Sequence, residues 1–153
     1  MRKFIKPLIL IGIGGLTYTI VELLYRGYSH WTMFIVGGLC GYFIGLVNEV
    51  FPWEMPIWKQ SLIGSVVVTV IEFISGCVIN LWLRWNVWDY SNLPFNILGQ
   101  VCLLFCFFWM ILAVMWIFAD DWLRCWLFNE EKPRYSLIYK GGKKYECTNR
   151  FSG

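Results

Sequence analysis

The chain has 153 residues, 58% of them hydrophobic, 20% aromatic and 15% charged, with a mean hydropathy of +0.56 and a formal net charge of +3. A water-soluble domain of this length has no interior large enough to hide so much apolar surface, so the composition excludes a soluble globule and points to an integral membrane protein. The small positive charge gives no ground for a nucleic-acid partner; its placement along the chain reports topology instead.

Four apolar stretches, at about 7–25, 33–52, 61–83 and 95–118, each come close to the ~20 residues that cross ~30 Å of hydrocarbon. The expected fold class is all-α: a bundle of about four transmembrane helices within residues 1–118, with a short tail over 119–153. The first stretch follows Arg2, Lys3 and Lys6, as a signal peptide would. The sequence after it, Tyr25-Arg26-Gly27-Tyr28, lacks the small residues of a cleavage site, so it reads as an uncleaved helix. Glu22 lies four residues before Arg26, the spacing of an ion pair along one helix face.

The second stretch carries Gly37, Gly41 and Gly45 at intervals of four. In lipid such a stripe lets backbones approach closely, so it predicts helix packing, either within the chain or between copies in a homo-oligomer. The third stretch places Glu72 near its middle, where a lone carboxylate costs about 2.5–3.5 kcal/mol even on mild scales. Glu72 therefore requires a partner or a proton. Thr69-Val70-Ile71-Glu72 also echoes Thr19-Ile20-Val21-Glu22 fifty residues earlier, with Gly76 and Gly27 following, which is the signature of a parallel repeat.

The connection that follows is dense in polar groups, from Asn80 through Arg84, Asn86, Asp89, Ser91 and Asn92 to Asn96 and Gln100. Asn96 and Gln100 are expected one turn apart at the start of the fourth helix, facing the bundle because buried amides need partners. Trp85, Trp88 and Tyr90, with Tyr28 and Trp31, read as an aromatic belt. Glu72, Asp89, Asn80, Asn96 and Gln100, joined by Glu22, are thus expected to converge on one outward-opening polar cavity that binds a substrate, an ion or a proton. In the tail, Asp120 to Asn129 reads as an interfacial helix and Tyr135 to Thr148 as a short hairpin.

Of the thirteen Lys and Arg residues, eleven fall on one side of this topology and only Arg26 and Arg84 on the other. The positive-inside rule then puts both termini in the cytoplasm, with 26–32 and 84–94 outside. Of the six cysteines, none lies in an outer connection, so no disulfide framework is expected. Cys102 and Cys106 are one turn apart but lack further ligands nearby, so they read as packing residues and no metal or other cofactor is called for.

The run Val87-Trp88-Asp89-Tyr90-Ser91-Asn92-Leu93-Pro94-Phe95-Asn96, with Gly99, Gln100, Glu72, Ser75, Gly76, Asn80 and the glycines of the second stretch, resembles a family of small bacterial membrane proteins described as ABC-transporter type IV permeases. The resemblance covers about 15–118 and implies a transport-related permease-like subunit in the bacterial inner membrane. No P-loop is present, since Gly141-Gly142-Lys143-Lys144 lacks the spacing and the hydroxyl, so any ATPase is a separate subunit. Two alternatives stand beside transport. One is a membrane-embedded enzyme using its carboxylates as general acids on a lipid or isoprenoid, weakly similar to small lycopene cyclases. The other is a regulatory or assembly subunit with no site of its own.

Overall fold

The computed structural model describes residues 2–51 and 55–130. The elements are α1 (Arg2–Arg26), α2 (Trp31–Gly45), α3 (Val47–Val50), α4 (Ile57–Gly76) running directly into a π-helical segment (Cys77–Trp82), a two-stranded hairpin of β1 (Asn96–Ile97) and β2 (Val101–Cys102), and α5 (Leu103–Phe128). Three helices, α1, α4 with its π extension, and α5, are long and apolar enough to cross a membrane; α2 is apolar but shorter.

The outward faces explain the composition. Leu16, Ile20 and Leu24 on α1, Val66, Val70 and Ile74 on α4, and Phe107, Ile111 and Met115 on α5 are all exposed and recur every four residues. Apolar ridges pointing away from the core are what lipid-facing helices present. The inward faces are small or polar: along α4 they run Gln60, Ser61, Gly64, Ser65, Val68, Glu72 and Gly76, all buried. The core itself gathers Met33, Val36, Cys40, Ile44, Val68, Trp88, Ala113 and Ile117.

Close approach is taken to its limit at the glycines of α1 and α2. A Cβ on Gly14 would lie 3.4 Å from the Gly38 Cα, and one on Gly38 would lie 2.5 Å from the Ile11 carbonyl oxygen. The stripe Gly37, Gly41 and Gly45 is filled by this chain's own Tyr18, Trp116 and Asp120 in turn. Trp116 Nε1 also donates to the Gly41 carbonyl at 2.7 Å. The stripe therefore packs against this chain's own helices, the first of the two alternatives the sequence left open.

Three boundaries differ from the sequence reading. Residues 95–102 are not the first turns of the fourth helix but a hairpin, because Phe95, Leu98 and Gly99 take positive φ (55°, 52° and 68°) and so cannot continue a right-handed helix. Asn96 and Gln100 accordingly sit on or beside this hairpin and not one helical turn apart. Helix α5 starts at Leu103 and runs unbroken to Phe128, ending where Asn129 turns left-handed (φ 56°), so Asp120 to Phe128 forms its last turns. The second stretch divides at Gly45 into α2 and the single turn α3. The hairpin read at Tyr135 to Thr148 lies outside the described residues. Among the described cysteines, Cys40, Cys77, Cys102 and Cys106 are free.

Contacts identify two ends of the bundle. At one, Lys6 of α1 meets Glu49 of α3 and Glu130 beyond α5. At the other, Arg26 donates to the Val87 carbonyl at 2.9 Å, and His30 packs against Trp85. The two predicted outer connections thus meet each other, and the N-terminus of α1 meets the end of α5.

Candidate functional site: an intramembrane carboxylate under an aromatic roof

Glu72 lies on the buried face of α4 and is only 4% exposed. Each of its oxygens accepts one hydrogen bond from a neutral aromatic donor: Tyr90 Oη to Oε1 at 3.1 Å and Trp109 Nε1 to Oε2 at 2.7 Å. The aromatic groups are themselves held in place. Tyr90 stacks on Phe105 at 4.5 Å between ring centroids, and Trp109 stacks on Tyr18 at 6.0 Å. The carboxylate is therefore roofed by Tyr90 from the connection that follows the π-helical segment, walled from α5 by Trp109, and approached from α1 by Tyr18. Burial, then the neighbouring Glu72 charge, pushes the Tyr90 phenol above its ordinary range. Its hydroxyl stays protonated and serves as a donor.

Glu22, on α1, is buried but differently served. It accepts from Arg26 Nη1 at 2.8 Å and from Ser29 Oγ at 2.5 Å. Arg26 in turn reaches Tyr28 and the Val87 carbonyl. The echoing sequences thus give two buried glutamates with opposite environments: Glu22 has a cationic partner, and Glu72 has two uncharged ones.

Asn80 and Gln100 form a clamp. Asn80 Nδ2 donates to Gln100 Oε1 at 2.8 Å, and the Val87 N–H donates to Asn80 Oδ1 at 2.7 Å. Gln100 Nε2 donates to the Leu98 carbonyl, while Trp88 Nε1 donates to the Gln100 carbonyl. The Gln100 side chain sits where a side chain on Gly76 would project, 2.6 Å from such a Cβ. Asn80 stands within the π-helical segment, whose wider turn is a frequent device for aiming a side chain. Together these bonds fasten the connection between the π-helical segment and β1 over α4.

Asn96 closes the turn below the clamp, donating to the Ser91 and Leu93 carbonyls and accepting from the Gly99 N–H. Asp89 is exposed, and its Oδ1 accepts the Ser91 N–H at 2.8 Å. That backbone donor lowers its carboxyl below the usual range. The six residues singled out in the sequence therefore fall into three settings: Glu72 under Tyr90 and Trp109, Glu22 with Arg26, and Asn80, Asn96, Gln100 and Asp89 within the fold of the connection.

Sequence reasoning assigned Tyr90 to the belt and passed over Trp109. A signal for Trp109 existed, since Trp109, Ala113 and Ile117 recur every four residues on one face of α5, and the last two are fully buried. A second polar cluster was also missed. Asp120, completely buried, accepts from Arg124 Nε at 2.5 Å, and Arg124 also pairs with Glu49. The i, i+4 spacing of Asp120 and Arg124 was its visible trace.

The sequence model of the family described as Putative ABC-transporter type IV matches residues 3–136, further in both directions than the resemblance over 15–118. No curated protein and no solved structure matches the chain.

Proposed function

The chain belongs to the ABC-transporter type IV family, a membrane, transport-related assignment from which we propose that it is a permease-like subunit with Glu72 as its ion-binding group. The observation that carries this reading is that both Glu72 oxygens, buried amid membrane-spanning helices, are held by the neutral donors Tyr90 and Trp109. An ionised carboxylate at such a depth is expensive unless a countercharge reaches it. A proton or a monovalent cation supplies that charge and leaves both hydrogen bonds in place. Tyr90 belongs to the outer connection, so moving that connection opens Glu72 to the outer side, and occupancy of Glu72 couples to the position of the connection.

The enzyme alternative asks for carboxylates acting together. Glu72 is buried while Asp89 is exposed and tied to the Ser91 amide, so the arrangement favours binding over paired acid–base chemistry. A separate ATPase partner and an inner-membrane location remain part of the proposal, following the family and the absence of a P-loop in this sequence.

Orientation with both termini in the cytoplasm rests on the eleven-to-two distribution of Lys and Arg. Labelling Asn92→Cys and Gly142→Cys variants on intact cells with an impermeant thiol reagent tests it: reaction at 92 alone supports the charge rule, and reaction at 142 alone inverts it. The functional test is uptake into sealed vesicles under imposed proton and cation gradients. Flux or gradient-driven binding abolished by Glu72→Gln, with the protein still folded, supports the proposal; activity unaffected by Glu72→Gln rejects it.

A further inference from the structure

The β1–β2 hairpin lies deeper than a loop that merely joins two helix ends. The Gln100 side chain packs where a Cβ on Gly76 would project, and Asn80 donates to it at 2.8 Å. The apolar segment long enough to cross a membrane continues from Gly76 to Trp82, up to about 9 Å further at helical rise. The chain leaving Trp82 therefore folds back beside the last turns of that segment before α5 begins at Leu103.

Non-helical backbone at membrane depth is tolerated only where its polar groups are satisfied within the protein. Around the hairpin they are. The Phe95 carbonyl accepts from the Leu103 N–H, Ile97 from the Gln100 N–H and Gly99 from the Tyr90 N–H. The Leu98 carbonyl accepts from Gln100 Nε2, and that of Gln100 from Trp88 Nε1.

The side chains divide by polarity. Phe95, Ile97 and Leu98 are 80%, 57% and 64% exposed, and α5 continues directly with exposed Leu103, Leu104 and Phe107. Asp89, Ser91 and Asn92, also exposed, are polar. Phe95 and Leu98 stand in left-handed backbone, which glycine or asparagine adopts more readily, so turn geometry does not account for their large apolar side chains. Hydrocarbon around them does.

We infer that the hairpin is a membrane anchor, with Phe95, Ile97 and Leu98 inserted among lipid acyl chains beside the π-helical segment and Asp89, Ser91 and Asn92 kept at the aqueous boundary. Tyr90 is bonded to the Gly99 carbonyl, so the roof over Glu72 is carried by this anchored hairpin. The anchor holds whether or not Glu72 binds an ion.

The test is paramagnetic broadening of backbone amide signals of the full-length protein, one copy per lipid nanodisc. One agent is a phospholipid with a doxyl label on its acyl chain, the other a water-soluble gadolinium chelate. The lipid label should erase the Ile97 and Leu98 signals as it does that of Phe107, and the chelate should spare them while erasing those of Ser91 and Asn92. Broadening of Ile97 and Leu98 by the chelate overturns the inference, whether or not the lipid label also acts. Signals spared by both agents overturn it too, since protein and not lipid then covers this edge. The double substitution Phe95→Asn with Leu98→Asn suits the left-handed backbone and removes the apolar side chains. It should bring Ile97 within reach of the chelate; an unchanged pattern in that variant would show that these side chains do not hold the hairpin in the membrane.

Discussion

Trp109 on α5 donates its indole N–H to Glu72 on α4 across 2.7 Å, joining the two helices through a carboxylate that lies among apolar side chains. The same ring stacks on Tyr18 of α1, so one tryptophan ties three elements to one acid. Trp109→Phe retains a ring for this packing and removes the donor. It should cost about 1–3 kcal/mol, the penalty for leaving a buried acceptor short of a partner, and it should alter ion binding at Glu72. Thermal unfolding in detergent and cation titration measure the two effects; wild-type values in both would show that the bond is incidental.

The clamp makes a different prediction. Asn80→Ala strips partners from the Val87 N–H and from Gln100 at once. Two buried groups without partners should loosen the connection at 83–102 while the rest of the bundle stands. Hydrogen exchange is expected to rise over residues 84–102 and to stay low in the buried part of α2. A uniform rise along the whole chain would mean that the clamp holds the bundle and not merely the connection.

Much of the architecture was legible because lipid imposes simple rules. Long apolar runs, the isolated Glu72 and the glycine stripe each carry a fixed cost that only a few arrangements relieve. The hairpin at 95–102 was not legible, because the same residues are apolar enough for a helix and only the positive φ of Phe95 and Leu98 diverts them. Left-handed backbone at bulky residues runs against local preference and is imposed by the tertiary bonds of Asn96 and Gln100. The carboxylate at Glu72 could be found by its cost, but its partners could not, since an aromatic at a membrane boundary reads equally as belt or as donor. Asp120 and Arg124 were hidden by their company: charges alternating with Trp122 and Trp126 suggest an interface, whereas the buried glycine Gly45 opposite makes room for Asp120.

That room yields a prediction for the stripe. Gly41 faces the Trp116 ring, and a Cβ there would come within 2.9 Å of it. Gly41→Leu must displace Trp116 and its bond to the Gly41 carbonyl, so a loss of at least about 1–3 kcal/mol is expected, with oligomeric mass unchanged wherever the variant stays folded. A fully stable variant with altered mass would return the stripe to contacts between copies.

Asp89 gives the pH dependence. Its folded carboxyl is lowered by the Ser91 N–H, so the turn gains from ionisation above the ordinary Asp value and loses that gain as pH falls through the lowered one. Acid should therefore loosen residues 89–91 first. Asp89→Asn retains the accepting oxygen without the titration, and the acid-dependent exchange at Ser91 should vanish in that variant. Identical acid behaviour in both proteins would assign the effect to other groups.

The most direct measurement is infrared difference spectroscopy of the reconstituted protein during proton or monovalent-cation titration, comparing wild type with Glu72→Gln. Occupancy of Glu72 predicts a carboxyl band that responds to the titration in the wild type and is missing from Glu72→Gln, with helix content preserved in both. A responsive carboxyl band that survives in Glu72→Gln, or a wild-type protein that shows none, would contradict the assignment of Glu72 as the ion-binding group.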